Sequence, residues 1–408
     1  MRISRRAAFV LCGFAVSQAL AIGSKETSAS AVVAAANADA QAGVSPEHQL
    51  QIAVQAIDNG RDNDALKELF NLTQREPNFR LAQLLYAQLL AMRSGIADAL
   101  PMSKADSAQL KELREEFRVR VGHSEREPTA GSLPSDIVEL ANSEPYVLLA
   151  DLSRSRLYVL SNRGGRLQVV EDFYSTLARR GFGKRSSGDL MTPVGIYRAT
   201  TFTPGSALPA FYGAGAFPLN YPNAWDRVHG RTGYGIWLHG VPADTYSRPP
   251  RASEGCLVLA NEDLLRLKQI IHIDETPVIF SDHVDWVPPE RQAARRAEIK
   301  SRIEAWREAW AKHDSAEYQS FYARDFRGND GSSKPHFDDA KLLAKTTTPL
   351  DIHLTGLNLF AYPGQQDLML AQFTQDYSID NVSHISRREQ YWQRQSNGRW
   401  KIAHEENH

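Results

Sequence analysis

Two cysteines occur in the 408 residues, Cys12 and Cys256. Cys12 falls in an N-terminal stretch that reads as a removable export signal, so the mature chain is expected to keep one thiol and no internal disulfide. A lone thiol pairs between chains, lies buried and inert, or reacts. A reactive one needs a base to make its thiolate, and the base needs an orienting group. His239 closes the apolar stretch Gly235-Ile236-Trp237-Leu238-His239-Gly240, which has the length and character of a strand. Cys256 follows after a loop that contains Pro249 and Pro250, and an excursion of that length can return the chain beside His239. Gly255 lets a substrate come close to the backbone and permits amides to point at one oxyanion. Considered singly, a core histidine at a strand end and an inert buried cysteine stay open as alternatives.

The elements that must position this pair form a multidomain α+β chain. Arg2, Arg5 and Arg6, the apolar stretch Ala7 to Leu20 and the small residues Ala19 and Ala21 predict a secretory signal peptide over 1–21 and export to the periplasm. An Ala- and Ser-rich leader is expected over 22–45. Helical periodicity covers 46–121, and Gly60, Ala65, Leu66, Leu69, Pro77 and Ala82 fit little more than one tetratricopeptide-like unit. One such unit cannot bury its own apolar face, so these helices are expected to pack on another domain or to form a homodimer. A linker is expected over 122–143. Short strands with Gly and Pro turns, read as antiparallel hairpins, then define a β-rich domain over 144–284. Residues 291–408 place helices before strands, with Tyr318, Phe321 and Tyr322 on a second short helix.

With 47 Lys and Arg against 48 Asp and Glu, the chain has no basic excess with which to neutralise phosphates, and nucleic acid is not an expected partner. His336, His353, His384 and His404 follow no metal-ligand spacing, and no metal or other cofactor is expected.

Thr192-Pro193-Val194-Gly195-Ile196-Tyr197, the stretch ending His239-Gly240, and Ser253-Glu254-Gly255-Cys256-Leu257-Val258-Leu259 together resemble the YkuD-type L,D-transpeptidases. The resemblance covers about 145–283. It implies that Cys256 is the nucleophile, that His239 is its base, that Gly240 supplies the carbonyl orienting His239, and that Gly255 and Cys256 contribute to the oxyanion hole. Arg251 and Ser253 lie near enough in sequence to hold a substrate carboxylate. Glu254 stands where the common motif has His. The Ser-x-Gly-Cys form resembles the cell-shape-determining subgroup, and the tail resembles the nuclear-transport-factor/SnoaL-like cone. The implied reaction is acyl transfer on peptidoglycan stem peptides, with transpeptidase or carboxypeptidase outcome. The tail is expected to hold a glycan or peptide, with some of Trp306, Trp310, Tyr318, Phe321, Tyr322, Tyr391, Trp392 and Trp400 at its mouth. The alternative is a catalytically inactive wall-binding scaffold.

Overall fold

Ser45 accepts the backbone N–H of His48 and Pro46 takes the first helical position, so α1 (Pro46–Asp58) begins where a capping side chain and a preset φ coincide. The computed structural model describes residues 44–95, 104–124, 129, 131–328, 349–379 and 382–408. The expected signal peptide, nearly all of the expected leader, and His336 lie outside the described residues. Gly60, at φ +70°, turns the chain from α1 into α2 (Asp62–Arg75). α3 (Arg80–Arg93) and α4 (Lys104–Ser124) follow. Ala65, Leu69, Leu81, Ala82 and Leu85 are fully buried, on the spacing that gives each helix one apolar stripe. These helices and the later segment Val241–Pro250 make one compact unit; Pro128–Gly240 and Arg251–His408 make a second. Among the described residues, no helix is long and apolar enough to cross a membrane.

In the second unit, β1 (Tyr146–Asp151), β2 (Arg156–Arg163) and β3 (Arg166–Tyr174) form an antiparallel meander. β4 (Gly195–Arg198), β5 (Gly215–Pro218), the helix α5 (Ala224–Val228), β6 (Trp237–His239), β7 (Leu257–Val258), the helix α6 (Asn261–Leu267) and β8 (Pro277–Ser281) complete the β-rich region. One sheet has the order β3-β2-β1-β8-β4, and a smaller one runs β7-β6-β5 and then the short strand Thr203–Pro204. The run Val147-Leu148-Leu149-Ala150 is apolar throughout because β1 is buried on both faces. Leu148 and Ala150 join a core with Phe217, Leu238, Leu257 and Leu264, while Val147 and Leu149 join another with Phe360, Leu370 and Tyr391. Two pairings depart from the expected antiparallel hairpins: β8 runs parallel to β1, and β7 parallel to β6.

The C-terminal region opens with α7 (Pro289–Ala311) and α8 (Ser315–Ser320), then β9 (Tyr322–Gly328), β10 (Ile352–Ala361), β11 (Leu368–Ile379), β12 (Val382–Arg394) and β13 (Trp400–Asn407). Its sheet runs β9-β13-β12-β11-β10 and ends on Ile137–Glu139. That last strand lies in the stretch expected to be a linker. Ile137 is 0% exposed, so the apolar pair Ile137-Val138 marks an edge strand rather than a tether. Tyr322, expected on the second short helix, instead starts β9, because α8 is closed by Phe321 at its C-cap.

Candidate active site

β6 and β7 are too short to hold together alone, and their parallel register is fixed by neighbours. Leu238 stands opposite Leu257 and His239 opposite Val258. The N–H of Leu259 donates to His239 O at 2.9 Å, and Leu238 and Leu257, both 0% exposed, anchor the pair in the core. Sequential parallel strands require a crossover, and the chain from Gly240 to Cys256 is that crossover. His239 therefore ends one strand while Cys256 precedes the first residue of its neighbour.

His239 is 1% exposed, and its Nδ1 lies 2.7 Å from Gly240 O. A carbonyl oxygen only accepts, so Nδ1 carries the proton and Nε2 keeps its lone pair for use as a base. The rings of Tyr212 and Phe211 stand 5.0 and 5.6 Å from the imidazole. Cys256 is half-buried, and its thiol donates to Gly235 O at 3.3 Å. Burial first, and then the charge of Cys256, push the Tyr212 phenol up. Tyr212 thus sits in the field of the thiol.

Two glycines are enforced by space. A Cβ on Gly240 would lie 2.2 Å from Oδ1 of Asn261, the atom that accepts the Ala214 N–H at 2.8 Å. A Cβ on Gly255 would meet Ile236 Cδ1 at 2.8 Å, and Gly255 has φ +152°, where side chains are strained. Ser253 was expected to touch substrate. It is 3% exposed, donates to Cys256 O at 2.7 Å and accepts the Gly255 N–H at 3.3 Å. Its hydroxyl is consumed in shaping the turn that carries the thiol, which corrects that expectation. Arg251 is exposed on a short strand beside Leu177. Glu254 is exposed and lies 3.8 Å from Arg179, whose own N–H donates to Ser253 O. Arg179, Tyr212, Gly235 and Asn261 were not visible as site residues in the sequence. Gly235 opens the His239 stretch itself and Asn261 follows closely on the Cys256 stretch, whereas Arg179 and Tyr212 reach the site from segments that carry no motif of their own.

In the C-terminal region all eight aromatic residues considered for the mouth of the cone are buried, which corrects that placement. Among them, the rings of Trp306 and Trp310 lie under Arg388, which pairs with Glu405. Tyr322 donates to the same carboxylate at 3.0 Å. Gln375, 0% exposed, has both amide atoms buried without a protein partner. Among the described residues, Glu389, Glu406 and His408 bring ligand-type atoms within 4.8 Å of one another. They line a cavity of about 220 Å³ with Arg198 and Arg227. Those two arginines pair with the two carboxylates, so the group is already neutralised by the protein itself.

Residues 145–280 match the YkuD family, the L,D-transpeptidase catalytic domain. Residues 298–406 match the Cds6 C-terminal NTF2-like domain. The chain thus carries a YkuD L,D-transpeptidase domain followed by an NTF2-like domain. Its fold is similar to that of Bd1075 from Bdellovibrio bacteriovorus, with 28% identity, 68% of this chain and 98% of that one covered, and a TM-score of 0.59. It is also similar to the helical cell shape determining protein Pgp2 from Campylobacter jejuni, with 24% identity, 72% and 100% covered, and a TM-score of 0.54. A substituted form of Pgp2 gives 25% identity, 72% and 98% covered, and a TM-score of 0.52. No curated protein matches the chain significantly.

Proposed function

We propose that this protein is a periplasmic cysteine acyltransferase that acts on peptidoglycan stem tetrapeptides in wall remodelling and cell shape. The observation that carries the reading is the imidazole of His239, hung by Nδ1 from Gly240 O at the end of the strand beside Cys256, inside the stretch that matches the YkuD domain. In the proposed reaction His239 Nε2 takes the Cys256 thiol proton. Sγ then attacks the carbonyl carbon of the third residue, and the oxyanion gathers on the backbone N–H of Cys256, that of Gly255 being turned to Ser253 Oγ. Collapse breaks the C–N bond, and the same proton passes from His239 to the departing D-alanine amine. The thioester is resolved by an amine, giving a cross-link, or by water, giving carboxypeptidase action. Export through residues 1–21 and dimerisation through the helical unit belong to the same proposal. So does a glycan or peptide ligand in the NTF2-like domain, supported by the unpartnered amide of Gln375.

Glu254 favours a second reading, an inactive wall-binding scaffold, because a carboxylate replaces the usual His of the motif. Intact-protein mass spectrometry after exposure to a carbapenem separates the two. Acyl transfer predicts one adduct on Cys256, absent in Cys256→Ala, and loss of D-alanine from tetrapeptide muropeptides. A folded protein that forms no adduct and leaves muropeptides unchanged is the scaffold.

A further inference from the structure

The chain leaves the β-rich unit at Gly240, directly after His239, and re-enters it at Arg251, shortly before Cys256. The segment between, Val241–Pro250, belongs to the helical unit. Three contacts of different chemistry hold it there. Tyr246, 8% exposed, stacks on the fully buried ring of Phe79 with centroids 4.2 Å apart. Ser247 Oγ donates to Glu116 Oε1 at 2.6 Å. Asn78 Nδ2 donates to Ala243 O at 3.1 Å.

The receiving groups are themselves fixed. Arg120 donates to Glu116 at 2.9 Å, pairs with Glu47, and lies 5.1 Å above the Phe79 ring. Glu116 is 3% exposed. A buried carboxylate that loses one of its donors is left poorly solvated, so the Ser247 contact resists opening. The strands at the two ends of the segment are, by contrast, slight. β6 has 3 residues and β7 has 2, so few ladder bonds oppose a shift of one relative to the other.

We infer that the helical unit is a clamp on the loop that joins base to nucleophile, so that Phe79 and Glu116, through Tyr246 and Ser247, set the alignment of His239 with Cys256. These four are positioning residues, and the inference rests on the reading of Cys256 as nucleophile and His239 as its base. It gives the helices a regulatory capacity, since any ligand or partner that moves α3 or α4 pulls on the loop.

The test uses the full chain with Tyr246→Ala, Ser247→Ala and the conservative Tyr246→Phe, each first checked for a cooperative thermal melt. One readout is the pH profile of iodoacetamide alkylation at Cys256, scored by peptide mapping. The second is hydrogen exchange of peptides covering 236–240 and 251–259. In Tyr246→Ala, Cys256 should alkylate at least ~10-fold more slowly at neutral pH, with its profile moved toward that of a free cysteine (~1.4 kcal/mol per tenfold). Exchange should rise in both flanking segments, and Tyr246→Phe should restore both readouts. A folded Tyr246→Ala or Ser247→Ala protein with a wild-type profile, and faster exchange confined to 241–250, overturns the clamp. If Tyr246→Ala fails to fold, Ser247→Ala carries the same two readouts. If the wild-type thiol reacts like a free cysteine, the acyl-transfer reading fails, and exchange in the flanking strands still decides whether the clamp exists.

Discussion

His239 and His404 are each 1% exposed, and in each Nδ1 meets a backbone carbonyl, that of Gly240 for the first and that of Arg327 for the second. Their surroundings differ. His404 stands 5.6 Å from the ring of Tyr391 in the C-terminal sheet, and its Nε2 is buried without a protein partner. Burial holds its pKa below the usual histidine value, so it stays neutral at physiological pH. His239 ends a strand whose neighbour begins at a half-buried thiol, and Phe211, 46% exposed, leaves an aromatic edge open to solvent beside it. Orientation of the ring is therefore common to both regions. What separates them is a thiol just before the adjacent strand and a way in from water, whereas beside Trp306 and Trp310 in the C-terminal region Arg388, Tyr322 and Glu405 are spent on one another.

The largest contrast should come from the two histidines themselves. His239→Gln is expected to slow Cys256 acylation by a carbapenem at least ~100-fold, the usual cost of a lost general base. His404→Gln should leave that rate within about twofold. Stopped-flow acylation of both variants checks this, and equal effects would dissolve the distinction.

Next in size is the packing that turns His239 toward its carbonyl. Gly240→Ala must displace Asn261 and the Ala214 contact, and should cost about 2 kcal/mol of stability together with most of the acylation rate. Asn261→Ala should rescue part of the rate in the double variant, as measured by a double-mutant cycle.

The seam between the two regions makes a smaller, pH-dependent prediction. Asp136, next to the strand Ile137–Glu139, is 6% exposed and accepts from Ser281 at 3.1 Å. Burial pushes its carboxyl up to about 7. A raised carboxyl stabilises the fold when protonated, so its contribution is complete below the ordinary carboxylate range and is lost as pH rises through about 7. Asp136→Asn should match wild type near pH 4 and become progressively the more stable protein as pH rises to 8 in denaturant melts. A constant offset across that range would show that Asp136 is ionised throughout.

The smallest effect is expected at Glu254. Its side chain is exposed and faces Arg179, so water and Arg179 screen it from the thiol. Glu254→Gln should change the acylation rate by less than about threefold. A larger loss would give Glu254 a direct part in the chemistry.

Much of this was legible from residue order. The period of apolar residues marked the helices of the N-terminal unit and the strands β1 to β3, because period is a local property of the backbone. The glycine-flanked pairs His239-Gly240 and Gly255-Cys256 marked the candidate site, because an activated thiol needs a base within reach whatever the fold. Residue order could not say that β6 and β7 pair in parallel, since strand partners are chosen by cores that gather Leu238 and Leu257 with residues from distant segments. Nor could it say that Ile137–Glu139 completes the C-terminal sheet, or that Ser253 turns inward while Glu254 turns out to Arg179. The loop Val241–Pro250 is the sharpest case. Its polar, proline-rich sequence has the composition of a surface turn, and only the stacking of Tyr246 on Phe79 and the buried Glu116 carboxylate assign it to the helices. Local pattern determines which element a segment becomes, and contacts between residues far apart in the chain decide where that element goes.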